Sequence, residues 1–224
     1  MVLIFDLDDT LYDERRYVES GFAAVADMAQ IEFGWDRKTS LTTMNSILDR
    51  DGRGRVFDAW LDGHGKFSAG LVRRCVKVYR DHSPSIVLNR PTKSLLRTLS
   101  RRHRLYIVTD GHKIVQQRKI QALGLDRLVK RVFITHRFGR RHAKPSTYCF
   151  ERIRSIEHCS WNEMAYVADN PAKDFVNLNK LGVLTIRTVT GVHRDVRAKP
   201  GHDAKFHIRE LGQLQTIIDG WDDE

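Results

Sequence analysis

The stretch Val2-Leu3-Ile4-Phe5-Asp6-Leu7-Asp8-Asp9-Thr10-Leu11 sets two carboxylates, Asp6 and Asp8, two positions apart and directly after four apolar residues. In an extended chain, residues i and i+2 point to one side, so both acids can serve a single reacting group. Carboxylates packed this closely repel unless a cation lies between them, and a hard divalent ion such as Mg²⁺ takes oxygen ligands of this kind. Read alone, the stretch is also compatible with a surface turn carrying solvated acids. The ten histidines include no H-E-x-x-H or similar metal spacing. The three cysteines, Cys75, Cys149 and Cys159, lack C-x-x-C spacing, so they suggest neither a disulfide framework nor a zinc site and read as buried thiols.

These residues need a scaffold, and the hydrophobic pattern describes one. Four apolar residues, two of them β-branched, read as a strand buried on both faces that ends at Asp6. The pattern then becomes helical: Val18, Phe22, Val25, Ala26, Met28 and Ala29 share one face, and further helical runs span residues 41–48, 56–61 and 71–79. Glycines punctuate this region and no strong strand pattern interrupts it. From Pro91 onward, strands at 105–108, 132–134, 164–168 and 183–186 alternate with helices, which implies crossovers and a parallel sheet covered on both faces. Residues 191–203 read as a polar loop and 208–218 as a closing helix. The expected fold is therefore α/β, a Rossmann-like parallel sheet with helices on both faces plus an all-helical insert. Residues 1–13 and 86–224 would form the core and 14–85 the insert. Such sheets bind ligands at the carboxyl ends of their strands, where Asp6, Thr109 and Asp169 all fall.

Four segments, in order, resemble the motifs of the haloacid dehalogenase superfamily. Asp6-Leu7-Asp8-Asp9-Thr10 matches its D-x-D-x-T, Thr109 ends a strand as its second motif requires, and Lys144 precedes Pro145 as in its third. Ala168-Asp169-Asn170-Pro171-Ala172-Lys173-Asp174 resembles its acidic fourth motif, with Ala168 where Gly is more usual. The matches span residues 2–174, most of the chain. The resemblance implies that Asp6 attacks phosphorus to give an aspartyl-phosphate and that Asp8 protonates the leaving oxygen and then activates water. Family members that dehalogenate lack an aspartate at the second position, which favours a phosphatase. It further implies that Thr109 binds a phosphate oxygen, helped by backbone N–H groups of Asp110 and Gly111, and that Lys144 offsets the negative charge. Mg²⁺ is the implied cofactor, held by Asp6, Asp169 and the backbone carbonyl of Asp8, with Asn170 and Asp174 in support. The helical insert would be the family's cap, closing over the site and choosing the substrate. His136-Arg137-Phe138-Gly139-Arg140-Arg141-His142 runs into Lys144, so Arg140 and Arg141 are candidates for a second anionic group on the substrate. By itself such a charge run is a solvated loop.

Composition narrows the class. At 224 residues the chain suits one core domain with a modest insert, and 41% hydrophobic residues suffice for a packed core. The early acids exclude a signal-peptide pattern, and no apolar run approaches the roughly 20 residues needed to span a bilayer, so a soluble cytoplasmic protein without membrane partners is expected. A net charge of +10 attracts polyanions in general, but Lys and Arg are dispersed and no nucleic-acid-binding signature occurs. The expectation is a Mg²⁺-dependent phosphohydrolase acting on a small phosphomonoester, a sugar phosphate or a nucleoside monophosphate. A phosphotransferase or mutase of the same family, or a non-catalytic phosphate- or nucleic-acid-binding module, is the alternative. Oligomeric state is not legible.

Overall fold

A computed structural model describes residues 1–222; Asp223 and Glu224, the acidic end of the expected core segment, lie outside the described residues. The chain divides into two compact units, one of Met1–Glu14 with Val87–Glu224, the other of Arg15–Ile86.

The first unit is organised by a six-stranded parallel sheet: β1 (Val2–Phe5), β2 (Arg104–Thr109), β3 (Arg131–Ile134), β4 (Met164–Ala168), β5 (Leu184–Thr188) and β6 (Phe206–Ile208), in the order β3-β2-β1-β4-β5-β6. β1 is central, with Phe5 opposite Ile107 of β2 and Val167 of β4. The Asp6 N–H extends this ladder by donating to the Val167 carbonyl at 2.9 Å, which fixes the residue beyond the strand as firmly as the strand itself. All four β1 residues are fully buried, as an unbroken apolar run between two parallel neighbours requires.

Alternation sorts the side chains between the two faces. Val2, Ile4, Tyr106, Val108, Met164, Tyr166 and Ala168 share one packed cluster with Cys149, Phe150 and Ile153 of the helix Tyr148–Glu157 and Leu178 of Val176–Leu181. The opposite set, Leu3, Phe5, Leu105, Ile107, Ala165 and Val167, is equally buried. The helices Arg90–Leu99 and Lys113–Ala122 lie on the connections into β2 and β3, and Leu214–Asp222 follows β6; their Leu96, Leu99, Ile120, Leu214 and Ile218 are buried too.

The second unit is helical: Glu14–Phe33 (starting one residue earlier), Arg37–Asp51, Val56–Gly63 and Ala69–Asp81. Asp36 and Ser68 cap the second and fourth by accepting the N–H of Thr39 (2.7 Å) and Leu71 (3.1 Å). Val18, Phe22, Val25, Met44, Val56, Trp60 and Cys75 form its core. Each large apolar side chain withdrawn from water contributes roughly 1.5–3 kcal/mol. Exposed ion pairs such as Arg37 with Asp27 contribute roughly 0–1 kcal/mol, so the apolar core holds this unit.

One expected element is corrected. Residues 208–218 do not form one helix: Phe206–Ile208 joins the sheet beside β5, and the helix begins at Leu214. A three-residue edge strand between charged neighbours has too little alternation to be legible.

Candidate active site

The carboxyl ends of β1, β2 and β4 deliver Asp6, Thr109 and Asp169 to one rim of the sheet. Together with Asp8, Asp9, Glu14, Asp110, Asn170, Lys173, Val192 and His193 they line a cavity of about 180 Å³. Two regions of this site differ in their electrostatics.

The first region is acidic. Carboxylate oxygens of Asp6, Asp169 and Asp174, all buried, lie within 4.8 Å of one another. The cation among them is Lys144, whose Nζ is 3.0 Å from Asp6 Oδ2 and 2.7 Å from Asp174 Oδ1. Tyr166 fixes this pair from the sheet: its hydroxyl accepts from Lys144 Nζ at 3.0 Å and lies 3.2 Å from Asp174 Oδ1. The N–H of Asn170 holds the other Asp174 oxygen at 3.0 Å. Burial pushes the Asp6 carboxyl up to about 6, the pull of Lys144 only partly opposing it. Burial, then repulsion from Asp6 and Asp174, pushes Asp169 up to about 8. Burial acts to lower Lys144, but Asp174 and Asp6 outweigh it and keep the ammonium charged. Like charges 4–5 Å apart repel by roughly 3–4 kcal/mol at an effective dielectric of about 20. Three carboxylates around one ammonium therefore leave a charge deficit, and an all-oxygen donor set with that deficit fits a hard divalent cation.

The second region surrounds Asp8 and is balanced. Asp8 Oδ1 is 2.8 Å from Lys119 Nζ and accepts from the Tyr12 hydroxyl at 2.7 Å, while Gln116 Nε2 donates to Oδ2 at 2.8 Å. Gln116 Nε2 also reaches Thr109 Oγ1 at 2.6 Å, so one amide links the residues of the first and second motifs. Lys119, itself buried, is shared with Glu14 at 3.0 Å. Burial acts to raise Asp8, but Lys119, Tyr12 and Gln116 outweigh it and hold the carboxyl below its ordinary range. The Asp8 side chain is thus committed to these partners and not to the acidic triad, whose third carboxylate is that of Asp174.

Asp110 pins the floor of the site. Its carboxylate accepts from Thr135 Oγ1 (2.7 Å), the Lys144 N–H (3.1 Å) and Lys173 Nζ (2.9 Å), bringing β2, β3 and two motif loops together. Gly111, at φ 136°, lies against Gln116, and a Cβ there would meet that side chain at 3.2 Å. Arg140 and Arg141 sit on a short exposed turn, Arg140–His142, and are not among the residues lining the cavity.

Tyr12, Gln116, Lys119, Tyr166 and Lys173 received no role from the sequence. One signal was available: Gln116 and Lys119 are three apart on the helix that follows Thr109, so they share the face turned toward the first motif.

The family model described as haloacid dehalogenase-like hydrolase matches residues 3–188. The glyceraldehyde 3-phosphate phosphatase of Methanocaldococcus jannaschii is 27% identical over 225 residues, covering 97% of this chain and 95% of that protein. The protein of the same name from Pyrococcus furiosus is 25% identical, with 97% and 92% covered. Among solved structures, the HAD-hydrolase YfnB of Bacillus subtilis, bound to magnesium, superposes with a TM-score of 0.69 at 21% identity, covering 97% of this chain and 98% of that one. A HAD phosphatase of Thermococcus onnurineus gives 0.60 at 18% identity, with 98% of each covered.

Proposed function

The chain belongs to the haloacid dehalogenase-like hydrolases, and from that premise we propose that it is a Mg²⁺-dependent phosphatase releasing phosphate from a small sugar phosphate. The observation that carries this reading is the buried acid set Asp6, Asp169 and Asp174, with Lys144 paired to Asp6 and Asp174, of which Asp6 and Asp169 line a cavity of about 180 Å³. The relatives matched over almost their whole length are named for a triose phosphate, which favours a small sugar phosphate over a nucleotide.

Asp6 and Asp169, backed by Asp174 and the Asp8 carbonyl, would hold the Mg²⁺, which supplies positive charge against the phosphate oxygens when bound. Asp6 is the nucleophile: its carboxylate oxygen attacks phosphorus as the bond to the substrate oxygen breaks, and that oxygen takes a proton from Asp8. A phosphate dianion beside Asp8 raises its proton affinity by charge repulsion, which readies it to donate. Water then attacks the phosphorus of the aspartyl-phosphate, Asp8 takes its proton, and inorganic phosphate leaves with Asp6 restored. Lys144 balances Asp6 through both steps, and the Thr109 hydroxyl, aimed by Gln116, holds a phosphate oxygen. We assign the Arg15–Ile86 unit the role of the family's cap. No helix among the described residues is long and apolar enough to cross a membrane.

A phosphate-release screen over sugar phosphates and nucleoside monophosphates, with Mg²⁺ and with EDTA, tests the reading. Turnover should be highest on three- to four-carbon sugar phosphates and vanish in EDTA. Full activity in chelator, or a preference for nucleotides, would refute it.

A further inference from the structure

The segment 189–203, polar in sequence and outside every recognised motif, reaches the cavity through Val192 and His193. It is fastened at two places. The first is Asp9, the residue after Asp8, which adopts a left-handed φ of 52°. Its carboxylate accepts the N–H groups of Glu14 (2.9 Å) and Val192 (3.3 Å), and its carbonyl accepts the Thr190 hydroxyl (2.7 Å). Gly191 makes this approach possible: at φ 62° it lies so close to Asp9 that a Cβ would stand 2.3 Å from Asp9 Cγ.

The second fastening is Arg187 of β5, which is 4% exposed. Its guanidinium donates to the carbonyls of His193 (2.7 Å) and Val196 (2.9 Å) and pairs with Asp203 at 3.3 Å. A buried arginine spent on backbone carbonyls positions a loop. The loop it positions carries one side chain suited to polar recognition into the cavity, and that side chain is His193.

We propose that His193 contacts the substrate, recognising a hydroxyl or carbonyl oxygen on the carbon skeleton beyond the phosphate, and that Arg187 is the positioning residue that holds it there. The inference rests on the phosphatase reading and deepens it: the α/β unit would carry its own determinant for hydroxylated phosphomonoesters. On the phosphatase reading, phosphate would sit against Asp6 and Thr109, with Lys144 paired to Asp6, which leaves the histidine for the organic half. Burial, partly opposed by Asp9, lowers the imidazole from its ordinary range and so favours the neutral ring, which offers one donor and one acceptor. A hydroxyl uses both.

The test compares glycerol 3-phosphate with methyl phosphate, which lacks any further oxygen. In His193→Ala the ratio of kcat/KM between the two substrates should fall about tenfold, the range of one hydrogen bond. Most of the loss should appear in KM, and His193→Gln should recover part of it. Arg187→Lys should lower the same ratio while Tm and circular dichroism show a folded protein. An unchanged ratio in a folded His193→Ala protein, or equal losses on both substrates, would overturn the assignment. If the unmutated protein turned over no phosphomonoester, the phosphatase reading would fall. Calorimetric binding of the same two compounds to unmutated and His193→Ala protein would then still decide the contact.

Discussion

Asp6 and Asp8 stand two residues apart on one turn and occupy opposite electrostatic regions. Around Asp6, burial and the crowding of three carboxylates, two of which pair with Lys144, raise Asp6 and Asp169. Around Asp8, Lys119, Tyr12 and Gln116 supply more stabilisation than burial removes, and the carboxyl is lowered. The same residue type is thus prepared for two tasks by its neighbours. One region has room for a cation and an incoming phosphoryl group, while the other keeps a base oriented and ionised until a substrate arrives.

Separating the two aspartates gives the largest expected effect. Asp6→Asn should abolish turnover and phosphoenzyme together. Asp8→Asn should lower turnover by roughly 10²–10⁴-fold, the usual share of a general acid-base group. With a good leaving group such as p-nitrophenol, Asp8→Asn should still trap a phosphorylated protein detectable by mass spectrometry. Undiminished turnover in Asp6→Asn would remove the contrast altogether.

Next comes the cation of the balanced region. Lys119→Met leaves Asp8 its two neutral hydrogen bonds but removes its charge partner. Groups that orient a reacting residue in this way are worth roughly 10–100-fold, so kcat should fall by that amount with KM little changed. A pure rise in KM would show that Lys119 serves binding instead.

The smallest effect concerns stability in the acidic region. Asp169 and Asp6 have folded-state values of about 8 and about 6 against an ordinary 3.8. Between about pH 4 and 8 these two carboxyls therefore hold more protons in the metal-free folded protein than in the unfolded chain, and their contribution to stability falls as pH rises. Mg²⁺ displaces those protons, so its stabilisation should grow from pH 6 to pH 8. At about 100 times its Kd, Mg²⁺ should raise Tm by roughly 5–10 °C at pH 8. Equal increments at both pH values, measured by differential scanning calorimetry, would show that the acidic region does not bind the ion.

The sequence by itself determined the α/β class, five of the six strands and the residues that end them. An unbroken apolar run, or a helical spacing of apolar residues, reports burial directly, and burial sets the local structure. It also marked Asp6, Thr109, Lys144 and Asp169, through the ordered resemblance of their four segments to the family's motifs. The tertiary structure alone decided which charges meet. Lys119 reaches Asp8 from 111 positions away, and Asp9 meets the loop at Val192 from 183 away. Arg187, the one charged residue of β5, is buried and holds a loop whose polar composition looks like that of any surface connection. Hydrogen bonds and ion pairs are short-ranged and directional, so their partners are set by the crossover that brings two distant segments together. Nothing in local composition records that approach.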